Sequence, residues 1–265
     1  MITPILILGA GRMGGALVEG WGRAGAFSPA DLILRDPKPG PDALAAVAAG
    51  ATLNPSDEIL AQARTVLIAV KPQVWRIAAA EVVAKLAPDA VIVSIAAGVR
   101  TTDLAEGFGG RRIARVMPTT AVAVGKGVAS IYAADPEARA RAHALFDPVA
   151  TAADLDDEGL IDAATAVSGS APAYVYAFVE ALEAAGARAG LPLETSQRLA
   201  RATLIGAAAL MEQSGTEPSE LRRQVTSPAG TTEAALKVLM ADDGFGPLLQ
   251  RAVDACVARA KELAG

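Results

Sequence analysis

Only one cysteine, one histidine and one asparagine occur in the 265 residues, and aromatic residues make up 4% of them. Cys256 has no partner for an internal disulfide, which is the usage of a reducing compartment, and it reads as a small apolar group on a helix. His143 is far from Cys256 in sequence, so a transition-metal site has little basis and no metal ligand is assigned. A Ser–His couple has as little: His143 follows Arg139, Ala140 and Arg141 in a polar helical pattern and reads as a surface residue. Lysines and arginines are scattered and the net charge is −5, which argues against nucleic acid as a partner. No uncharged apolar stretch reaches the ~20 residues that span a bilayer. The apolar run after Met1 is short, lacks a basic lead and ends in glycines. A cytoplasmic protein with no membrane partner is expected. The dense acidic run Asp156-Asp157-Glu158 reads as a solvated loop or helix start.

What the chain has is apolar mass, 52% of its residues, with a mean hydropathy of +0.35. A core poor in aromatics must be built of Ala, Val and Leu, which suits close-packed helices. Ile5–Leu8 is a continuous apolar run, as expected for a strand buried on both faces. Gly9-Ala10-Gly11-Arg12-Met13-Gly14 follows at once, and Ala16, Leu17, Val18 and Trp21 continue at helical spacing. Glycines at G-x-G-x-x-G spacing are a weak signal alone and a credible dinucleotide site between a strand and a helix. Gly9 makes the tight turn, Gly11 lets a pyrophosphate reach the backbone, and Gly14 lets helix and strand pack closely.

A second strand, Leu32–Leu34, ends at Arg35-Asp36-Pro37, about 20 residues past the glycines, where the ribose selector sits. Arg35 would favour the 2′-phosphate of NADPH, whereas Asp36 leaves NADH open. Strands are also expected at Val66–Val70, Ala90–Ile95 and Arg112–Met117, with a further one at Gly127–Tyr132. The first of these runs through Ala69 and Val70 into Lys71-Pro72, and the second ends at Ala96-Ala97-Gly98. Carboxyl ends of central strands carry the cofactor in open parallel sheets, so these residues are placed beside it, together with Ser56. Lys71 is also a candidate catalytic residue.

After about Asp154 strand-like runs stop. Ala-rich helical runs follow at 161–167, 173–189, 193–211, 217–225, 231–240 and 246–263, broken at Gly190-Leu191-Pro192 and Asp242-Asp243-Gly244. Ser168–Pro172 interrupts one of them and is expected to expose hydroxyls. The reading is an α/β protein: a Rossmann-like doubly wound sheet over residues 1–154, then an all-helical substrate and dimerisation domain over 155–265. Val225-Thr-Ser-Pro-Ala-Gly-Thr-Thr232 reads as a helix start flanked by the hydroxyls of Ser227, Thr231 and Thr232, fit for a small carboxylate or for ordinary capping. So many short apolar helices need a second copy to cover them, so a homodimer is expected.

Together, Gly9–Gly14, Ala69–Gln73, Arg115–Pro118, Val167–Tyr174 and Val225–Thr232 resemble pyrroline-5-carboxylate reductase, in order and spacing over nearly the whole chain. The family pattern Met-Pro-Asn-Thr-Pro is here Met117-Pro-Thr119-Thr-Ala121. Its Ser-Gly-Pro is Ser170-Ala171-Pro172, and its Ser-Pro-Gly-Gly-Thr is Ser227-Pro-Ala229-Gly-Thr231. The resemblance implies hydride transfer from NADPH, with NADH as the other option, to a cyclic imino acid, giving proline. Ser227, Gly230, Thr231 and Thr232 would hold its carboxylate and ring nitrogen, Thr232 bonding the nitrogen. It also implies a dimer and, beyond that, rings of dimers. Two alternatives stand beside it. One is a related reductase acting on another imino or 2-oxo acid; the Lys-then-Asn pattern of β-hydroxyacid dehydrogenases is absent, since Asn54 lies in the front half. The other is a non-catalytic NAD(P) sensor, which would need no acid-binding turn.

Overall fold

The computed structural model describes residues 2–264. Two compact units are seen: one runs to Gly169 and takes in the chain from Val257, and the other is Ser170–Cys256.

In the first unit the order is β1 (Ile5–Leu8), α1 (Arg12–Ala24), β2 (Leu32–Arg35), α2 (Pro41–Ala48), β3 (Thr52–Leu53), α3 (Asp57–Leu60) and β4 (Thr65–Ile68). Then come α4 (Trp75–Val82), β5 (Val91–Ser94), α5 (Thr101–Gly107), β6 (Ile113–Pro118), β7 (Gly127–Tyr132), α6 (Pro136–Phe146), β8 (Ala150–Asp154) and α7 (Leu160–Ala164). The eight strands form one sheet in the order β3-β2-β1-β4-β5-β6-β7-β8. All neighbours are parallel except β6 and β7, which are joined by a short turn too tight for a parallel crossover. Strand alternation divides the core. Ile5, Ile7, Leu32 and Leu34 meet Leu17 and Trp21 of α1, Ala43 of α2 and Phe146 of α6 on one face. Leu6, Leu8 and Ile33 meet Trp75 and Val82 of α4 and Phe108 on the other. Trp21 is fully buried and its indole N–H donates to the Leu145 carbonyl at 2.7 Å, so its one polar atom is satisfied.

Two strands lay beyond the sequence reading. β3 has only two residues at the sheet edge, and β8 is Ala-Thr-Ala-Ala-Asp, largely exposed, with no apolar run. β8 is held partly by His143 of α6, half-buried rather than free at the surface. Its Nδ1 lies 3.0 Å from Asp147 and its Nε2 3.2 Å from Asp154. The Asp147 bond chiefly, with Asp154 adding, raises its pKa above the ordinary histidine value. The stability gained is therefore full below the unfolded pKa of about 6.5 and is lost as pH rises through the higher folded value. The His143→Ala protein should melt below the parent at about pH 5.5 by a margin, under ~1 kcal/mol, that vanishes near pH 8.5. A margin independent of pH would show that packing alone matters there.

The second unit holds α8 (Ala171–Arg188), α9 (Leu193–Ser214), α10 (Pro218–Gln224), α11 (Thr231–Leu239) and the start of α12 (Phe245–Ala264). α8 and α9 pack closely: a Cβ on Gly186 would run into the Ser196 hydroxyl, which donates to the Glu183 carbonyl at 2.7 Å. The burial pattern is inverted. Glu183, Ser196 and Ala200 are inside, while Tyr176, Ile205, Val238 and Met240 are exposed. Half-buried Cys256 sets its thiol 3.3 Å from the Ser170 hydroxyl. The interruption at Ser168–Pro172 follows a π-helical turn, Thr165–Gly169. There the expectation of exposed hydroxyls is corrected: Thr165 and Ser168 each donate to the carbonyl four residues back, at 2.7 Å.

Candidate active site

The glycine turn divides its work as the spacing requires. Gly9 has φ +93°, and a Cβ there would lie 2.8 Å from Val70 and 2.9 Å from the Ala69 carbonyl carbon. A Cβ on Gly14 would meet the Gly9 carbonyl oxygen, so Gly14 sets how closely α1 packs on the turn. Gly11 alone faces open space. It is the N-cap of α1 with no side-chain cap, which leaves the first N–H groups of that helix for an anion. In front of it lies a cavity of about 550 Å³ lined by Gly9, Gly11, Arg12, Met13, Arg35, Ala69, Val70, Lys71, Pro72, Ala96 and Ala97, among others. Lys71 makes no ion pair with another described residue and is exposed on this wall. Arg12 and Lys71 thus bring positive charge to the place where a diphosphate fits.

The turn is pinned by Asp36, which also lines this cavity. Its Oδ2 accepts from the Ala10 N–H and its Oδ1 from the Lys38 N–H, both at 2.7 Å. Its backbone exchanges 3.1 Å hydrogen bonds with the side chain of Asn54. Both Asp36 oxygens therefore serve the fold. Arg35, on the opposite side of the strand end, reaches a second cavity of about 390 Å³ with Leu8, Asn54, Val74, Ile77 and Glu81. Ser56 lines neither cavity; it is exposed, and its hydroxyl helps to hold the Glu58 carboxyl below the usual carboxylate range. Gly98, at φ +74°, shapes the turn after β5 without lining the cavity. Asn54 and Glu81 line the smaller cavity although neither was expected there. Asn54 carried one signal, a lone asparagine just past a strand, and it takes φ 47°.

The reading of the acidic run as solvated holds for Asp156 and Asp157 and fails for Glu158. Glu158 accepts from the Thr101 N–H and hydroxyl, each at 2.8 Å, and pairs with buried Arg115 at 3.1 Å. Thr119, where the resembled family carries Asn, is buried and ties β6 to β7 through the Val128 N–H at 3.0 Å.

In the second unit, Val225–Thr232 is a turn into α11. The Gly230 N–H closes on the Ser227 carbonyl at 3.0 Å, so Gly230 shapes the turn rather than offering its donor. The Ala229 N–H is taken by Glu233 at 2.6 Å, and Glu233 is held below the usual carboxylate range first by Lys237 and then by this N–H. The hydroxyls of Ser227, Thr231 and Thr232 make no hydrogen bond to a described residue. Ala229 sits at φ 56°, a left-handed conformation that costs a residue with a Cβ roughly 1–2 kcal/mol.

Over its full length the chain is 40% identical to the pyrroline-5-carboxylate reductase of Pseudomonas aeruginosa, covering 98% of that protein. The chain belongs to the pyrroline-5-carboxylate reductase family. Residues 158–263 match the family model described as pyrroline-5-carboxylate reductase dimerisation, and residues 4–98 the one described as NADP oxidoreductase, coenzyme F420-dependent. The fold is similar to the Coxiella burnetii pyrroline-5-carboxylate reductase, with TM-score 0.91, 29% identity and complete coverage of both chains. It is also similar to a Plasmodium falciparum pyrroline carboxylate reductase with NADP bound, with TM-score 0.83, 25% identity, and 99% and 98% of the two chains covered.

Proposed function

We propose that the protein reduces 1-pyrroline-5-carboxylate to L-proline with NADPH, the last step of proline synthesis. The observation that carries this is the 40% identity over the whole chain to a pyrroline-5-carboxylate reductase. The open face of Gly11 and the uncapped start of α1 fit a dinucleotide diphosphate, with Arg12 and Lys71 offsetting its charge. Bound there, the nicotinamide supplies the hydride. Ser227, Thr231 and the first N–H groups of α11 hold the substrate carboxylate. The Thr232 hydroxyl bonds the ring nitrogen; it is too weak an acid to protonate it, so the imine arrives protonated or takes its proton from water. Lys71 adds positive field at the cavity wall. The work of the protein is positioning, which needs no histidine or carboxylate pair. Purified protein should oxidise NADPH in the presence of 1-pyrroline-5-carboxylate and form proline. Folded protein that binds NADPH and shows no imine-dependent oxidation would overturn the reading.

We also propose that the enzyme is a cytoplasmic homodimer. The exposed apolar side chains of the second unit support it, since patches of that size are normally covered. Ile205→Asp, at a position 69% exposed, should halve the mass seen by light scattering. The same measurement separates a dimer from a larger ring, and an unchanged mass would move the interface off α9.

A further inference from the structure

We propose that Glu81 sets how strongly the enzyme prefers NADPH over NADH; this rests on the dinucleotide reading of the two cavities. Arg35 is the last residue of β2 and pairs in register with Leu8, so it shares the sheet face of Ile33 and Leu8, on which α4 packs. Glu81 comes from that helix. The Arg35 Nη2 lies 2.8 Å and its Nε 3.3 Å from one oxygen, Oε2, of Glu81. Both line the 390 Å³ cavity, whose other walls are mainly apolar: Leu8, Val74, Ile77 and Ala78. Arg35, Pro37, Val70 and Val74 are common to this cavity and the larger one, so it is the adenosine end of the same groove.

An adenosine ribose placed there meets a cation and an anion together. A 2′-phosphate brings about −1.5 to −2 charges, which Arg35 attracts and Glu81 repels. The phosphate must share the guanidinium with a carboxylate already bound to it. A 2′-hydroxyl has the opposite preference, since an acid at the selector position accepts its hydrogen bond. Asp36, the acid next in sequence, already has an N–H on each of its carboxylate oxygens. Glu81 supplies that acid from a different element. The pair is partly in water, with side chains 29% and 53% exposed, so it is weak enough to open for either cofactor.

The test is Glu81→Gln, which keeps size and removes charge at an exposed position. The Kd values of NADPH and NADH are read by fluorescence titration beside steady-state kinetics, with Arg35→Ala in parallel. Glu81→Gln should tighten NADPH and weaken NADH, raising the NADPH/NADH preference by about fivefold or more. An unchanged ratio overturns the proposal, and a fall in the ratio overturns it by making Glu81 a prop for Arg35. Arg35→Ala should lower the ratio. If it does not, the adenosine placement itself fails, an outcome distinct from failure of Glu81 alone.

Discussion

Thr232→Ala is expected to lower kcat/KM for the cyclic imine by on the order of 100-fold while the KM for NADPH stays within about twofold. Thr232 is the second residue of α11, half-buried, with a hydroxyl that bonds nothing else among the described residues. Its neighbours leave it that way. Gly230 is an N-cap without a side chain, and Glu233 spends its carboxylate on the Ala229 N–H and on Lys237, 2.9 Å away. A donor held ready for a charge-developing nitrogen is worth most when it needs no rearrangement to act. Thr232→Ser should recover much of the loss, because it restores the hydroxyl and omits only a methyl. Equal losses in imine turnover and NADPH affinity would refute the assignment. So would a variant as active as the parent.

Glu158→Ala should cost about 3 kcal/mol of stability, a drop of roughly 6–12 °C in Tm for a domain of this size. Arg115 is 6% exposed and Glu158 20% exposed, so removing the carboxylate leaves a guanidinium buried and unpaired. Arg115 Nε already lacks a hydrogen-bond partner among the described residues, so nothing nearby takes up the charge. The same change removes both acceptors at Thr101, the first residue of α5. Glu158→Gln keeps an acceptor for Thr101 and should fall between alanine and the parent. Thermal unfolding of the three proteins measures this; a loss under ~1 kcal/mol for alanine would mean that Arg115 swings out to water.

The strand–glycine turn–helix start was legible because each glycine answers a local need of the backbone, visible in spacing alone. The long strands were legible as apolar runs, since both sheet faces are covered. β8 was not, because alanine and aspartate at a sheet edge leave no hydrophobic trace. Glu158 was misread for a related reason: a carboxylate that caps a distant helix and pairs with a buried arginine looks, in sequence, like its solvated neighbours. Ser56, placed beside the cofactor by its sequence position, lines neither cavity, whereas Asn54 lines the smaller one.

Composition and pattern by themselves determined the class of fold, the glycine turn, the helical second half and the family, because these rest on chemistry read within a few residues. Which of Arg35 and Asp36 lines the smaller cavity rested on strand parity and on the helix lying against each sheet face. Consecutive residues point to opposite sides, so one went to Glu81 and the other to the Ala10 N–H. Only the tertiary structure could decide that, because both partners are remote in sequence and neither is implied by the residues around the pair.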